Sequence, residues 1–151
     1  MRPVLLALAL WQGVSTPFSL KPEPPRHVRV ATSSTVDRAG RVSLFLDVAP
    51  MPGIHVYAPG ARDYKPIGLA IAPQSGLMVG KLTYPKSETL MDGTERVPVF
   101  NAAFRLTQPI TAGDSASSPL IVTGTVDYQA CDDRLCYKPE SIGVSWTLPR
   151  D

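Results

Sequence analysis

The chain holds two cysteines, Cys131 and Cys136, with four residues between them in the segment Tyr128-Gln129-Ala130-Cys131-Asp132-Asp133-Arg134-Leu135-Cys136-Tyr137-Lys138-Pro139-Glu140. A disulfide needs Cα atoms about 4.4 to 6.8 Å apart, which four intervening residues allow when the chain doubles back in a hairpin-like turn. Three chemistries are open to such a pair: it can shuttle between dithiol and disulfide, staple the fold, or hold a metal through its thiolates. As a staple it is poorly placed, because closing a loop of about six residues stabilises by only about 2 kcal/mol, against about 4 to 5 kcal/mol for a bridge spanning most of a domain. A zinc site lacks recognised ligand spacing, since His27 and His55 are distant in sequence. Copper handling through Met51, Met78, Met91 and His55 is weaker still, because methionines at irregular spacing are more simply core fillers. On the residues alone, exchange and staple both stand. The neighbouring charges oppose one another: Asp132 and Asp133 raise a thiol pKa, while Arg134 and Lys138 lower it.

The elements that must position the pair read as strands. Val42, Leu44, Leu46 and Val48 alternate with Ser43, Phe45 and Asp47. The same period of two runs through Leu120, Val122, Gly124, Val126 and Tyr128, and through Ile142, Val144, Trp146 and Leu148. Such alternation puts one set of side chains on a core face. The cysteine segment lies between the last two of these strands. Weaker strand candidates are Val28 to Thr32, Ile54 to Ala58, Ile67 to Ala72, Leu77 to Tyr84 and Val97 to Leu106. Turn residues separate them at Arg38-Ala39-Gly40, Pro50-Met51-Pro52-Gly53, Pro59-Gly60, Pro73-Gln74-Ser75-Gly76, Asp92-Gly93 and Ala112-Gly113-Asp114, and Ser115 to Pro119 reads as a polar loop tip. Roughly seven or eight short strands at this spacing predict an all-β, immunoglobulin-like two-sheet sandwich.

Sixteen prolines among 151 residues argue against long helices, and 44% hydrophobic residues against wholesale disorder. A formal charge of +2, without a basic run, argues against nucleic-acid binding. Met1 to Ser15 reads as a signal peptide: Arg2, the apolar run Val4 to Trp11, then the small residues Gly13 and Ser15. That run is far below the roughly 20 residues a membrane-crossing helix needs. Thr16 to Arg26, with Pro17, Pro22, Pro24 and Pro25, reads as an extended arm ahead of a single domain over residues 27–151.

The cysteine segment resembles the active-site hairpin of the periplasmic N-terminal domain of the DsbD thiol:disulfide interchange family. Gly53-Ile54-His55-Val56-Tyr57 is similar to the family's strand beside the active site, and Leu82-Thr83-Tyr84-Pro85 to the strand leading into its cap loop. The resemblance implies an immunoglobulin-like fold, export to the periplasm, and a Cys131–Cys136 disulfide that opens and closes without a cofactor or metal. It implies that Cys136 forms the mixed disulfide with a partner and Cys131 resolves it. His55, Tyr57, Tyr128, Gln129, Tyr137 and Pro139 would surround the pair. The family's cap presents an aromatic residue, but Pro85 to Pro98 contains none, so Leu90 or Met91 would serve. The implied partners are thioredoxin-like or disulfide isomerase proteins, including cytochrome c maturation factors. Because this chain lacks the family's membrane and thioredoxin-like domains, a separate membrane-embedded electron donor is expected. The competing expectation is a non-catalytic immunoglobulin-like binding domain with a permanent disulfide.

Overall fold

A computed structural model describes residues 26–113, 116 and 119–148. The expected signal peptide, the proline arm up to Pro25 and most of the loop tip at 115–119 lie outside the described residues. Eleven strands follow in order: β1 Val28–Val36, β2 Val42–Pro50, β3 His55–Tyr57, β4 Gly68–Ile71, β5 Leu77–Val79, β6 Glu88–Asp92, β7 Glu95–Phe100, β8 Phe104–Ala112, β9 Leu120–Tyr128, β10 Ala130–Cys131 and β11 Glu140–Leu148. Among the described residues there is no helix, and so none long and apolar enough to cross a membrane.

Backbone pairing is antiparallel throughout and makes three sheets, ordered β1-β2-β8-β5, β10-β3-β7-β6 and β11-β9-β4. The alternating residues do what their period requires. Leu44, Leu46 and Val48 of the first sheet meet Val122, Val126, Tyr128, Ile142 and Trp146 of the third in one core, all at most 3% exposed. Trp146 resolves its one polar group by donating Nε1–H to the Phe45 carbonyl at 3.0 Å, which ties the two layers together. This is the immunoglobulin-like sandwich that the pattern predicts.

Three differences from the expected elements bear on the site. The single strand expected over Val97 to Leu106 is two, β7 and β8, interrupted at 101–103, and the chain changes sheets there. The strand expected to run from Leu77 to Tyr84 ends at Val79, with only Thr83 forming a further bridge, to Thr107. The segment before Gly93, expected to be a loop, is strand β6, paired with β7 from Glu88↔Val99 to Asp92↔Glu95. Its turn has Gly93 at φ 60° and Thr94 on the ordinary side of φ, the hairpin geometry that favours glycine in its first central position. All five residues of β6 are exposed, so burial leaves no alternating apolar pattern by which to recognise it.

Late in the chain β9 stops at Tyr128, and after Gln129 the backbone resumes as β10 in the neighbouring sheet. Gln129 holds the step: its Oε1 accepts from the Lys65 backbone N–H at 3.0 Å and its Nε2 donates to the Tyr137 carbonyl at 3.1 Å. Upstream, β9 carries Gly124 against β4, where a Cβ would stand 2.8 Å from the Ala70 carbonyl oxygen. A backbone atom cannot swing aside, so Gly124→Ala should cost about 1 to 3 kcal/mol of stability in urea unfolding. Gly143→Ala on the adjacent strand, where nothing lies within 4 Å, should change it by no more than about 0.5 kcal/mol.

Candidate active site

The cysteines face each other across a tight antiparallel turn. The Asp132 N–H donates to the Leu135 carbonyl and the Tyr137 N–H to the Ala130 carbonyl, both at 2.9 Å. Cys131 and Cys136 therefore form the non-hydrogen-bonded pair between these two bonds, the position at which cross-strand side chains come closest. Their Cα atoms are 4.1 Å apart, slightly below the usual span of about 4.4 to 6.8 Å, and the sulfurs are joined.

Asp132 builds the turn from its side chain. Oδ1 accepts from the N–H groups of Arg134 and Leu135 at 2.8 and 2.7 Å, and Oδ2 accepts from the Tyr137 hydroxyl at 2.8 Å. The Arg134 and Leu135 amides, then the Tyr137 hydroxyl, hold the carboxyl below its usual value. Tyr137 is fixed in turn by stacking on His27, ring centroids 3.8 Å apart. His27 bonds through Nδ1 to Glu140, which also accepts from the Tyr128 hydroxyl at 2.7 Å. Tyr128, Gln129 and Tyr137 thus brace the turn from behind rather than line the cleft in front of it; Pro139 is exposed and also lies outside that cleft.

The two sulfurs occupy different surroundings. Cys131 is 1% exposed, packed in a small apolar cluster with Tyr57, Val97 and Val99, whereas Cys136 is exposed. Strand β3 supplies the wall. Cys131 is directly opposite His55 in the β10–β3 ladder, and Tyr57, two residues on, shares that face. The Tyr57 hydroxyl lies 3.1 Å from Cys131 Sγ and 3.5 Å from Cys136 Sγ. A disulfide sulfur carries no proton, so the phenol donates. Burial keeps that phenol above its ordinary range and therefore protonated.

An aromatic residue does cover this spot, though not from the segment in which one was sought. Tyr64, in the connection between β3 and β4, stacks on Tyr57 with centroids 4.0 Å apart and planes 4° from parallel. Its hydroxyl donates to Asp92 Oδ2 at 2.5 Å, a bond that pushes its pKa upward and links the covering ring to the tip of the β6–β7 hairpin. Neither residue carried a recognisable signal: Tyr64 sits in an aperiodic stretch, and Asp92 reads as a turn residue. With Leu90 and Met91, 37% and 57% exposed, they rim an open cleft of about 460 Å³ that also contains His55, Tyr57, both cysteines and the turn residues Asp133, Arg134 and Leu135.

The model of the N-terminal domain of the thiol:disulfide interchange protein DsbD matches residues 22–145. The chain belongs to that family. Among solved structures, the reduced DsbD N-terminal domain of Neisseria meningitidis is similar at 17% identity, with a TM-score of 0.53, over 72% of this chain and 78% of that one. The N-terminal periplasmic domain of ScsB from Proteus mirabilis is similar at 14% identity, with a TM-score of 0.60, over 85% of this chain and 49% of that one. At these identities the two structures speak to the fold. No curated protein matches the chain. As a DsbD N-terminal domain, this chain is a module of thiol–disulfide interchange.

The Asp132 carboxylate is depressed in the folded domain, so its contribution to stability is present above the ordinary value of 3.8 and is lost as pH falls through the lower folded value. Asp132→Ala should therefore unfold at lower urea than the wild type at pH 7, and the gap between the two should narrow steadily once the pH drops below about 4.

Proposed function

We propose that the domain carries an electron pair between periplasmic proteins by opening and closing the Cys131–Cys136 bond, with Cys136 as the sulfur that partners attack. The observation that carries this reading is the asymmetry of the pair: Cys136 is exposed at an open cleft, while Cys131 is buried behind it. A thiolate must approach the sulfur it attacks along the line of the bond it breaks, and only one sulfur offers that approach. In the reducing direction a donor thiolate attacks Cys136 Sγ, and the Cys131–Cys136 bond breaks with its electron pair leaving on Cys131. The donor's second thiol then closes the donor's own disulfide and releases Cys136. The reduced pair passes the electrons on by the reverse sequence: Cys136 attacks the acceptor's disulfide, and Cys131 resolves the mixed disulfide. No cofactor enters the electron balance.

The donor is a membrane-embedded dithiol protein and the acceptors are thioredoxin-like or disulfide isomerase proteins, in keeping with family membership and with the periplasmic description of the ScsB neighbour. Leu135, 57% exposed beside Cys136, together with Leu90 and Met91, gives the cleft an apolar rim against which such a partner can pack. Leu90 and Met91 also act as a partial cap. Carried on a paired hairpin and tied back through Asp92 and Tyr64, they move as a unit when a partner docks.

Two outcomes follow. Cys131→Ala should accumulate a mixed disulfide with a thioredoxin-like partner, visible by non-reducing electrophoresis, while Cys136→Ala traps much less; equal trapping would mean that the order of attack is wrong. Leu90→Gly combined with Met91→Gly should speed iodoacetamide alkylation of the reduced pair several-fold in the folded protein, at a cost of about 1 to 2 kcal/mol in urea unfolding because both glycines fall inside strand β6, and an unchanged rate would remove the cap from the account.

A further inference from the structure

One buried polar group beside the pair lacks a partner. Among the described residues, His55 Nε2 is the only buried side-chain nitrogen or oxygen without a hydrogen bond. Such a group costs stability, and a site that retains it calls for an explanation. Its position supplies one. His55 is the cross-strand partner of Cys131, which puts the two Cβ atoms about 4.5 to 5.5 Å apart on one face of the ladder. Its ring meets Tyr57 edge-on with centroids 5.5 Å apart, and both cysteines share the cleft with it.

We propose that His55 is the proton-handling residue for Cys131, taking up a proton through Nε2 when the neighbouring sulfur becomes a thiolate and supplying it to that sulfur. The inference rests on the exchange reading given above. When the bond opens, Cys131 leaves as an anion inside the cluster of Tyr57, Val97 and Val99, where water has little access. An uncompensated thiolate there is costly, so it needs a cation or a proton at hand.

The surrounding groups leave few candidates. On the turn, Asp132 and Asp133 are acidic, with Asp132 already engaged by two amides and Tyr137, and Arg134 is exposed. On β6, Asp92 is acidic and bonded to Tyr64. On β3 itself, Tyr57 donates a hydrogen bond but holds its proton tightly. His55 supplies the imidazole of the cleft, and burial, partly offset by Asp132, lowers its pKa from the ordinary value and keeps the ring neutral until a nearby anion favours its protonation.

The balance closes over a full reduction. The donor's two thiols lose two protons and two electrons and become a disulfide; the Cys131–Cys136 bond gains both electrons and the site gains both protons. One of the two protons is shared between Cys131 and His55, which exchange between thiol with imidazole and thiolate with imidazolium, and the other reaches exposed Cys136 from solvent. In the oxidising direction neutral His55 takes the Cys131 proton and raises the fraction of resolving thiolate.

The test reads the coupling in both directions. The His55 ring resonances are titrated by NMR in the oxidised protein and in the protein reduced with dithiothreitol. The apparent pKa should rise on reduction by about one unit, a tenfold gain in proton affinity. Reciprocally, in the Cys136→Ala background, the Cys131 thiol followed by thiolate ultraviolet absorbance should titrate about one unit higher when His55→Gln or His55→Phe is added. The phenylalanine variant preserves a ring against Tyr57, so lost packing is separated from lost proton transfer. Equal His55 titrations in the two redox states, or a Cys131 titration unmoved in a folded variant, would overturn the assignment while leaving the exchange reading intact. A bond that dithiothreitol opens only in denaturant would bring down the exchange reading, and this inference with it.

Discussion

The site depends on a ladder two residues long. Strand β10 pairs with β3 only at Ala130↔Val56 and Cys131↔His55, yet that register sets which side chains meet the sulfur. Side chains alternate along a strand, so a slip of one residue would turn Cys131 away from the face that carries His55 and Tyr57. Such a short pairing cannot fix its own register. It is held at one end by the step at Gln129, which ties Lys65 to Tyr137, and at the other by the Asp132 turn. Behind both stands the long β9–β11 ladder, nine residues on each strand, rooted in the main core.

This anchoring produces the difference between the two cysteines. Cys131 is the last residue of a strand and belongs to a packed cluster; Cys136 returns on the far side of the turn and belongs to the surface. Loop closure over so short a span contributes little to stability, so the bond can open at small cost to the fold, and the hydrogen bonds of the turn do not pass through the sulfurs. Asp132, Tyr137, His27 and Glu140 hold the backbone in place by contacts that do not involve the disulfide itself. The Tyr57 hydroxyl lies within hydrogen-bond reach of both sulfurs, and Tyr64 and Asp92 extend its reach to the hairpin that flanks the opening.

Much of the fold could be read from the chain because the long strands alternate cleanly. Five of the six turn segments proposed from composition end in a glycine at positive φ, at Gly40, Gly53, Gly60, Gly76 and Gly93, where the backbone demands what glycine alone adopts freely. The cysteine turn was legible from its spacing. Strand β6 was not, because all its residues face solvent and its pairing with β7 leaves no apolar trace. The aromatic cover was sought in the wrong segment for a related reason: Tyr64 reaches Tyr57 and Asp92 through a loop whose course is set by tertiary packing rather than by any local period. Nor does sequence distinguish a histidine with a satisfied ring from His55, whose unmet nitrogen emerges only once β10 is laid against β3.

The central claim is that the Cys131–Cys136 bond is a working redox couple in the folded domain, and its reduction potential tests this most directly. The native protein would be equilibrated with graded glutathione ratios, without denaturant, and its thiols trapped and counted. The account predicts a reversible transition at a potential above about −300 mV, with the fold intact on both sides of it. A bond that stays closed across that range, and opens only when the domain unfolds, would identify a structural staple and contradict the account.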